Sequence, residues 1–204
     1  MAAERTPAAE EKRRLLLDAA VRVFARKGYH AARVGDIATE AGVAYGLLYH
    51  YFRSKEEILE TIFRETWGAM LESVRGVEEA GGPAREQVRR VASIVLRAYV
   101  RNPDLVRVLV REVTRSPHLQ AEVEEIGHAT NELERIVRRG QETGEFRTQL
   151  PPRLAAAIFY GALEQILTGW VLGTPPEDSE EVEAAIRTVV EMLCNGLVTD
   201  PAAA

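Results

Sequence analysis

The 204-residue sequence predicts an all-α protein with a small N-terminal domain followed by a larger helical body. Three observations carry that expectation. Apolar residues recur at helical spacing through the segments between breakers. Ala, Val, Leu, Glu and Arg dominate, β-branched runs are short, and 46% of the residues are hydrophobic, enough for a real core. The breakers themselves, Gly81-Gly82-Pro83, Pro151-Pro152 and Gly173-Thr174-Pro175-Pro176, suit helix boundaries.

Taken in order, residues 1–6 read as a flexible tail and Thr6-Pro7 as a helix start. That helix runs to Lys27, burying Leu16, Leu17, Ala20, Val23 and Phe24, and Gly28 stops it in a left-handed cap. Two short helices flank Gly42. Val34, Ile37, Ala38 and Ala41 face inward on the first, Val43 fills the corner, and Leu48 and Phe52 face inward on the second. Ser54 caps a helix from Lys55 to about Val77, whose Glu56 and Glu57 suit its positive end. Further helices are expected from Pro83 to Tyr99, over 104–115, from His118 to about Glu142, from an opening at Pro151-Pro152 to Leu172 and, after a cap at Asp178 or Ser179, to about Leu197. The total is nine helices and no strand. Domain boundaries follow at 7–54 and 55–199, with 200–204 a second tail.

Composition excludes several classes. One cysteine, Cys194, leaves no disulfide framework and no Cys-based zinc site, and fits a small core residue in a reducing, cytoplasmic protein. The N-terminus lacks a secretory pattern, and Glu164, Gln165 and Thr168 interrupt the longest apolar stretch, so no membrane association is expected. No nucleophile elbow, zinc-protease or phosphate-loop motif is present, so an enzyme is not expected, and no cofactor or metal site is assigned. The net charge of −5 hides an asymmetry: residues 1–55 carry +4 and residues 56–204 carry −9. A locally positive end on an acidic body suits a protein that touches phosphates with one small module.

The segment 28–55 has the size of a helix-turn-helix, which lays its second helix in the DNA major groove. With Leu48 and Phe52 turned inward, Tyr45, Gly46, Tyr49 and His50 are left outward. Tyrosine hydroxyls and a histidine nitrogen bond phosphates or base edges, and Gly46 permits close approach to the groove. An ordinary helical hairpin with surface aromatics has the same spacing.

The run Ala19-Ala20…Phe24…Gly28-Tyr29…Asp36-Ile37-Ala38…Ala41-Gly42-Val43…Gly46…Leu48-Tyr49-His50-Tyr51-Phe52…Ser54-Lys55-Glu56…Ile58-Leu59 resembles the TetR family of bacterial transcriptional regulators over about residues 11–65. The resemblance implies a homodimer with an N-terminal three-helix DNA-binding domain and a C-terminal domain for ligand binding and dimerisation. It also implies phosphate contacts from Tyr49 and Lys55, with Tyr45, Gly46 and His50 nearest the bases. Arg33, Val34, Gly35, Ala44, Leu47 and Arg53 complete the expected DNA-facing set. Three of these depart from the family's usual pattern. Arg33 and Ala44 stand where Ser or Thr often caps the two short helices, each lost cap costing about 1 kcal/mol. Leu47 replaces a small or hydroxylated residue.

In the body, apolar doublets recur every four residues from Leu154-Ala155 to Trp170-Val171, answered by Val182, Ala185-Ile186, Val189-Val190, Leu193 and Leu197. Such helices pack either within a subunit or as half of an intersubunit four-helix bundle. The expected dimer contacts are Ile158, Ala162, Ile166, Trp170, Ile186, Val190, Leu193 and Leu197. Ala157, Gly161 and Gly169 open a second face to close backbone approach.

The run Gly140-Gln-Glu-Thr-Gly-Glu-Phe146, followed by Pro152-Arg153-Leu154-Ala155…Phe159-Tyr160-Gly161…Glu164…Thr168-Gly169-Trp170, resembles the fatty-acid-metabolism branch of that family. This resemblance implies release from DNA by long-chain acyl-CoA, a small apolar effector. Arg107, Arg111 and Arg115 repeat on one helix face while Arg90, Arg97 and Arg101 line another, a candidate cradle for coenzyme A phosphates. Phe159, Leu163, Glu164 and Thr168 are the expected pocket residues. A solvated basic face explains the same arginines. A regulator of an efflux or stress gene that answers a lipophilic cation would instead depend on a buried carboxylate such as Glu164.

Overall fold

The computed structural model describes residues 6–113 and 123–197. Among these, nine helices and no strand are present: α1 Pro7–Lys27, α2 Val34–Glu40, α3 Tyr45–Tyr51, α4 Lys55–Ala80, α5 Ala84–Arg101, α6 Pro103–Val113, α7 Val123–Glu142, α8 Pro152–Leu172 and α9 Ser179–Leu197. Tails 1–5 and 198–204, the end of the helix expected over 104–115 and the start expected at His118 lie outside the described residues.

The chain divides into two compact units. The first runs through Thr66 and takes in α6 from Asp104; the second comprises Trp67–Pro103 and the chain from α7 onward. A division at 54/55 therefore differs from the packing in two ways: α4 contributes residues to both units, and α6 belongs with the first.

In the first unit, α1 packs on α2 and α2 on α3. Leu16, Ala20, Val23, Ile37, Leu48, Ile58 and Phe63 are fully or almost fully buried. Each large apolar side chain so buried contributes about 1.5–3 kcal/mol against chain entropy. Charged pairs on the outside tie α1 to its neighbours. Arg22 Nε and Arg26 Nη2 reach the two Glu40 oxygens at 2.8 and 2.9 Å, Lys27 Nζ lies 2.7 Å from Asp36 Oδ1, and Arg13 pairs with Glu65 of α4. Gly28 closes α1 at φ +79°, ψ 148°, positive as expected but outside the left-handed helical well.

The second unit is built on α5, α7, α8 and α9. Here α5 packs on α7, α8 and α9, and α8 packs on α7 and α9. Val88, Leu96, Ile136, Phe146, Phe159, Leu163, Ile186 and Cys194 form one continuous core. Burial pushes the Cys194 thiol up to about 11, so it stays a neutral core group.

The turn after α7 organises one end of this unit. Phe146 N–H returns to the Gly140 carbonyl at 2.9 Å, and Gln141 Nε2 donates to the carbonyls of Arg147 and Leu150 at 2.9 and 2.8 Å. The same turn delivers Glu145 to the start of α5, which begins after Pro83 without a side-chain cap. Its carboxylate accepts the N–H groups of Ala84 and Arg85 at 2.7 and 2.8 Å, supplying the missing cap from a distant residue.

Helix α8 is long and apolar enough, by length and composition, to cross a membrane, contrary to the expectation from sequence. Its inward residues Ala155, Ala156, Phe159 and Leu163 are instead part of the helical core. Its outward residues Leu154, Ile158 and Leu172 are 54%, 59% and 65% exposed, and Met192 of α9 is 75% exposed.

Candidate nucleic-acid interface and helical body

The turn between α2 and α3 is fixed by backbone chemistry. Val43 N–H reaches back to the Ala38 carbonyl at 3.0 Å and Gly42 N–H to the Thr39 carbonyl at 3.1 Å. With Gly42 at φ +66°, this is a Schellman closure, and an L side chain there would be strained.

Neither short helix has the usual hydroxyl cap. At α2 the loss is partly offset, because Asp36 Oδ2 accepts the Arg33 N–H at 3.0 Å. At α3 nothing replaces it: Ala44 makes no side-chain bond. A seven-residue helix without a cap depends on tertiary packing. Leu48 and Phe52 supply it at 0% and 3% exposure. Val34 and Val43, expected inside, are only half-buried.

Ion pairing alters the acid behaviour of this unit. The Lys27 ammonium, and then the Arg33 N–H, hold the Asp36 carboxyl below the usual range, and Arg22 and then Arg26 do the same to Glu40. Carboxyls depressed in the folded state contribute stability that is complete above their unfolded values near ~4 and is lost as pH falls through the folded values. Thermal denaturation is therefore expected to show a midpoint that falls through the acid range, and the slope should flatten in the double variant Asp36→Asn, Glu40→Gln.

Helix α3 presents a compact aromatic face. Tyr45 and Tyr49 are 55% and 45% exposed, their rings meet edge-on at 5.2 Å, and their hydroxyl oxygens are 3.1 Å apart. Gly35 lies beneath the Tyr45 ring, where an added Cβ would make ordinary contact at 3.7 Å. Gly46 and His50 are exposed, Leu47 half-buried and Ala44 exposed. Arg33 and Arg53 flank this face, and neither guanidinium has an ion-pair partner among the described residues. All of the DNA-facing set is exposed or half-buried; among the described residues one side chain of the set is an exception in being spent on the loop after α1.

Lys55 is that exception. Its ammonium donates to the carbonyls of Tyr29 at 2.8 Å and Ala32 at 3.1 Å, approaches that of His30 at 3.5 Å, and stands 4.4 Å over the Tyr29 ring. The Tyr29 hydroxyl in turn donates to Glu56 Oε1 at 3.1 Å. Lys55 therefore pins the loop after α1 to the start of α4; it does not extend toward a phosphate. Its three donors answer carbonyls that the loop leaves without helical partners.

An added Cβ at Gly46 meets nothing within 4 Å. In the free protein Gly46→Ala should stabilise α3 by about 0.5–1 kcal/mol. With Gly46 nearest the bases, as the resemblance implies, the same methyl should lower DNA affinity about tenfold while the melting temperature holds or rises. Unchanged affinity would remove Gly46 from the interface.

In the body, several expected contacts sit elsewhere. Ile186 and Val190 are 1% and 4% exposed inside the subunit core, so they are not dimer contacts. Ala162, Ile166, Trp170 and Leu193 are half-buried against that core, and Trp170 stacks on Tyr99 at 5.5 Å. Ile158 alone of the expected set is fully outward, joined by Leu154, Leu172 and Met192. The side chain of Leu197 lies outside the described residues. Apolar doublets make both faces of α8 look alike; the expected row is outward at Ile158 and half-buried at Ala162, Ile166 and Trp170.

The candidate effector residues are also redistributed. Phe159 and Leu163 are each 2% exposed and fill the core. Glu164 is exposed, so it is not the buried carboxylate that a cationic ligand requires, while Thr168 is half-buried. Among the described residues of this unit the buried carboxylate is Glu132, paired with Arg75 and Arg135. Arg90 pairs with Glu86, and Arg97 with Glu183 at 2.5 Å, both in the second unit. Arg107 pairs with Asp104 at 2.6 Å in the first unit, where Arg111 is half-buried without an ion-pair partner among the described residues. Arg115 lies outside them.

The model of the bacterial regulatory proteins, tetR family, matches residues 16–62, and that of a tetracyclin repressor-like C-terminal domain matches residues 81–197. The fatty acid metabolism regulator protein of Bacillus subtilis (strain 168) is 32% identical over 185 residues, covering 89% of this chain and 93% of the relative. The fatty acid degradation regulator FadR from Bacillus halodurans superposes with a TM-score of 0.82 at 28% identity, over 95% of this chain and 98% of that one. FadR from Bacillus subtilis, in a crystal structure with stearoyl-CoA, superposes with a TM-score of 0.79 at 31% identity, over 90% and 98% of the respective chains.

Proposed function

The chain belongs to the TetR family of bacterial regulatory proteins, and from that premise we propose that it is a homodimeric, cytoplasmic repressor released from a palindromic operator by long-chain acyl-CoA. As a family member it is a helix-turn-helix, DNA-binding transcriptional regulator. The observation that carries the DNA-binding reading is α3 itself: a helix held by Leu48, Phe52 and the Gly42 closure, with Tyr45, Gly46, Tyr49 and His50 outward between Arg33 and Arg53. Two such helices related by a two-fold axis meet half-sites about one turn, ~34–36 Å, apart. The outward row of α8 and α9, Leu154, Ile158, Leu172 and Met192, is the surface for the second subunit.

The acyl-CoA reading is supported by the two FadR relatives, one of them crystallised with stearoyl-CoA. Half-buried Ile166, Leu167 and Trp170 at the edge of the core offer apolar walls for an acyl chain. In the same unit Arg101 is exposed, with no ion-pair partner among the described residues, and is available for a phosphate. An effector acts only through its preference for the conformation that does not bind DNA, and ten- to hundredfold release needs about 1.4–2.7 kcal/mol of coupling.

The test is titration of palmitoyl-CoA, below its micellar range, into the complex with a palindrome from the gene's upstream region. Release of DNA is expected, and Arg101→Gln should raise the half-release concentration about five- to tenfold, the worth of one hydrogen bond. No release by palmitoyl-CoA or stearoyl-CoA would sink the fatty-acid reading and leave the DNA-binding one standing.

A further inference from the structure

Two hydroxyls that share a hydrogen bond have only two protons between them. One lies within the pair and one points outward, so the Tyr45–Tyr49 pair offers a single outward donor. A phosphate oxygen is a pure acceptor and requires that donor. The hydroxyl not facing phosphate is then the one that donates within the pair, and it meets its surroundings with lone pairs alone.

Position decides which tyrosine does which. Tyr45 is in the first turn of α3, its ring braced over Gly35. Tyr49 is one turn further along, toward the C-terminal end of α3 and Arg53, whereas a recognition helix meets base edges with its N-terminal residues and leaves the later ones to phosphate. Tyr49 therefore donates to the backbone and Tyr45 donates to Tyr49. In the major groove only the adenine N6 and cytosine N4 amino groups donate, while guanine O6 and N7 and thymine O4 accept. A hydroxyl reduced to an acceptor selects an amino group and repels a carbonyl.

We propose that Tyr45 is a specificity-determining residue that reads an adenine or cytosine amino group, with its polarity set by the bond to Tyr49. The inference rests on the operator-binding reading above. It makes a nominally sequence-blind phosphate contact control what a neighbouring side chain reads.

The experiment is binding of the full-length protein to a palindromic library with each half-site position randomised in turn, followed by anisotropy titrations of single-base variants. Wild type should prefer A or C over G or T at one position by about five- to tenfold, the worth of one neutral hydrogen bond. Replacing that adenine by a purine lacking the 6-amino group should remove the preference. Both Tyr45→Phe and Tyr49→Phe keep the rings, and melting curves check that folding is intact. Tyr45→Phe should flatten the preference at that position alone. Tyr49→Phe should weaken every sequence and also relax the same position, because the Tyr45 proton is then free to meet G or T. A Tyr49→Phe profile that is weaker but unchanged in base preference overturns the proposal, as does a wild-type preference for G or T opposite Tyr45. Failure of wild type to prefer any sequence defeats the regulator reading itself.

Discussion

Gly140→Ala is expected to destabilise the protein by about 2 kcal/mol. Inside a helix this change ordinarily gains up to about 1 kcal/mol, since Ala is the better helix former. Here the sign reverses. An added Cβ would stand 2.8 Å from the Ala84 Cβ and 2.9 Å from Phe146 Cε2, and closer still to Phe146 Cδ2. Phe146 is 1% exposed and Ala84 3%, so neither can swing aside into solvent. Overpacking of a filled core costs about 1–3 kcal/mol, and at a contact this close the upper end applies. The steric cost therefore exceeds the propensity gain. Urea unfolding followed by circular dichroism measures it, and a wild-type midpoint for Gly140→Ala would show that the turn is looser than described. Phe146→Leu should itself destabilise, yet cost less in the Gly140→Ala background than alone, because it vacates the space the methyl needs.

Lys55→Met is expected to cost about 2 kcal/mol and to weaken operator binding without changing its salt dependence. Met keeps the apolar stem of the side chain and removes the ammonium. The Tyr29 and Ala32 carbonyls then lose a charged donor, whose bonds are each worth about 1.5–3 kcal/mol when no water replaces them. Partial exposure lets water recover some of that. Each phosphate contact contributes about 0.9 to the slope of log affinity against log salt. Arg33→Gln and Arg53→Gln should lower that slope, and Lys55→Met should not. A slope that drops with Lys55→Met, as with the arginines, would return the lysine to the phosphate-contacting set.

The helices were legible because their signals are local. Pro83, Pro103 and Pro152 stand within a residue of where α5, α6 and α8 begin, and Gly28, Gly81, Gly144 and Gly173 within two of where α1, α4, α7 and α8 stop. The inward residues Ile37, Leu48 and Phe52 followed from spacing on short helices with one apolar face. Legibility failed where the deciding partner is distant in sequence. Lys55 meets carbonyls 23 and 26 residues away, and Arg97 meets Glu183 across 86 residues, so a free-looking cation is in each case already engaged. It was partial on α8, whose apolar doublets supply a core face and an outward face of similar character. Periodicity says that both are apolar and cannot rank them; burial of Phe159 and exposure of Ile158 do.

The Glu145 clasp on α5 also has a bearing on time. Its acceptor oxygens arrive 61 residues after Ala84. On a ribosome adding about 5–20 residues per second, α5 emerges about 3–12 s before the carboxylate that completes its first turn. During that interval the start of α5 has neither its cap nor Phe146 against it. The N-terminal DNA-binding helices assemble from contacts already synthesised, whereas this end of the body is finished only when the turn after α7 closes back upon it.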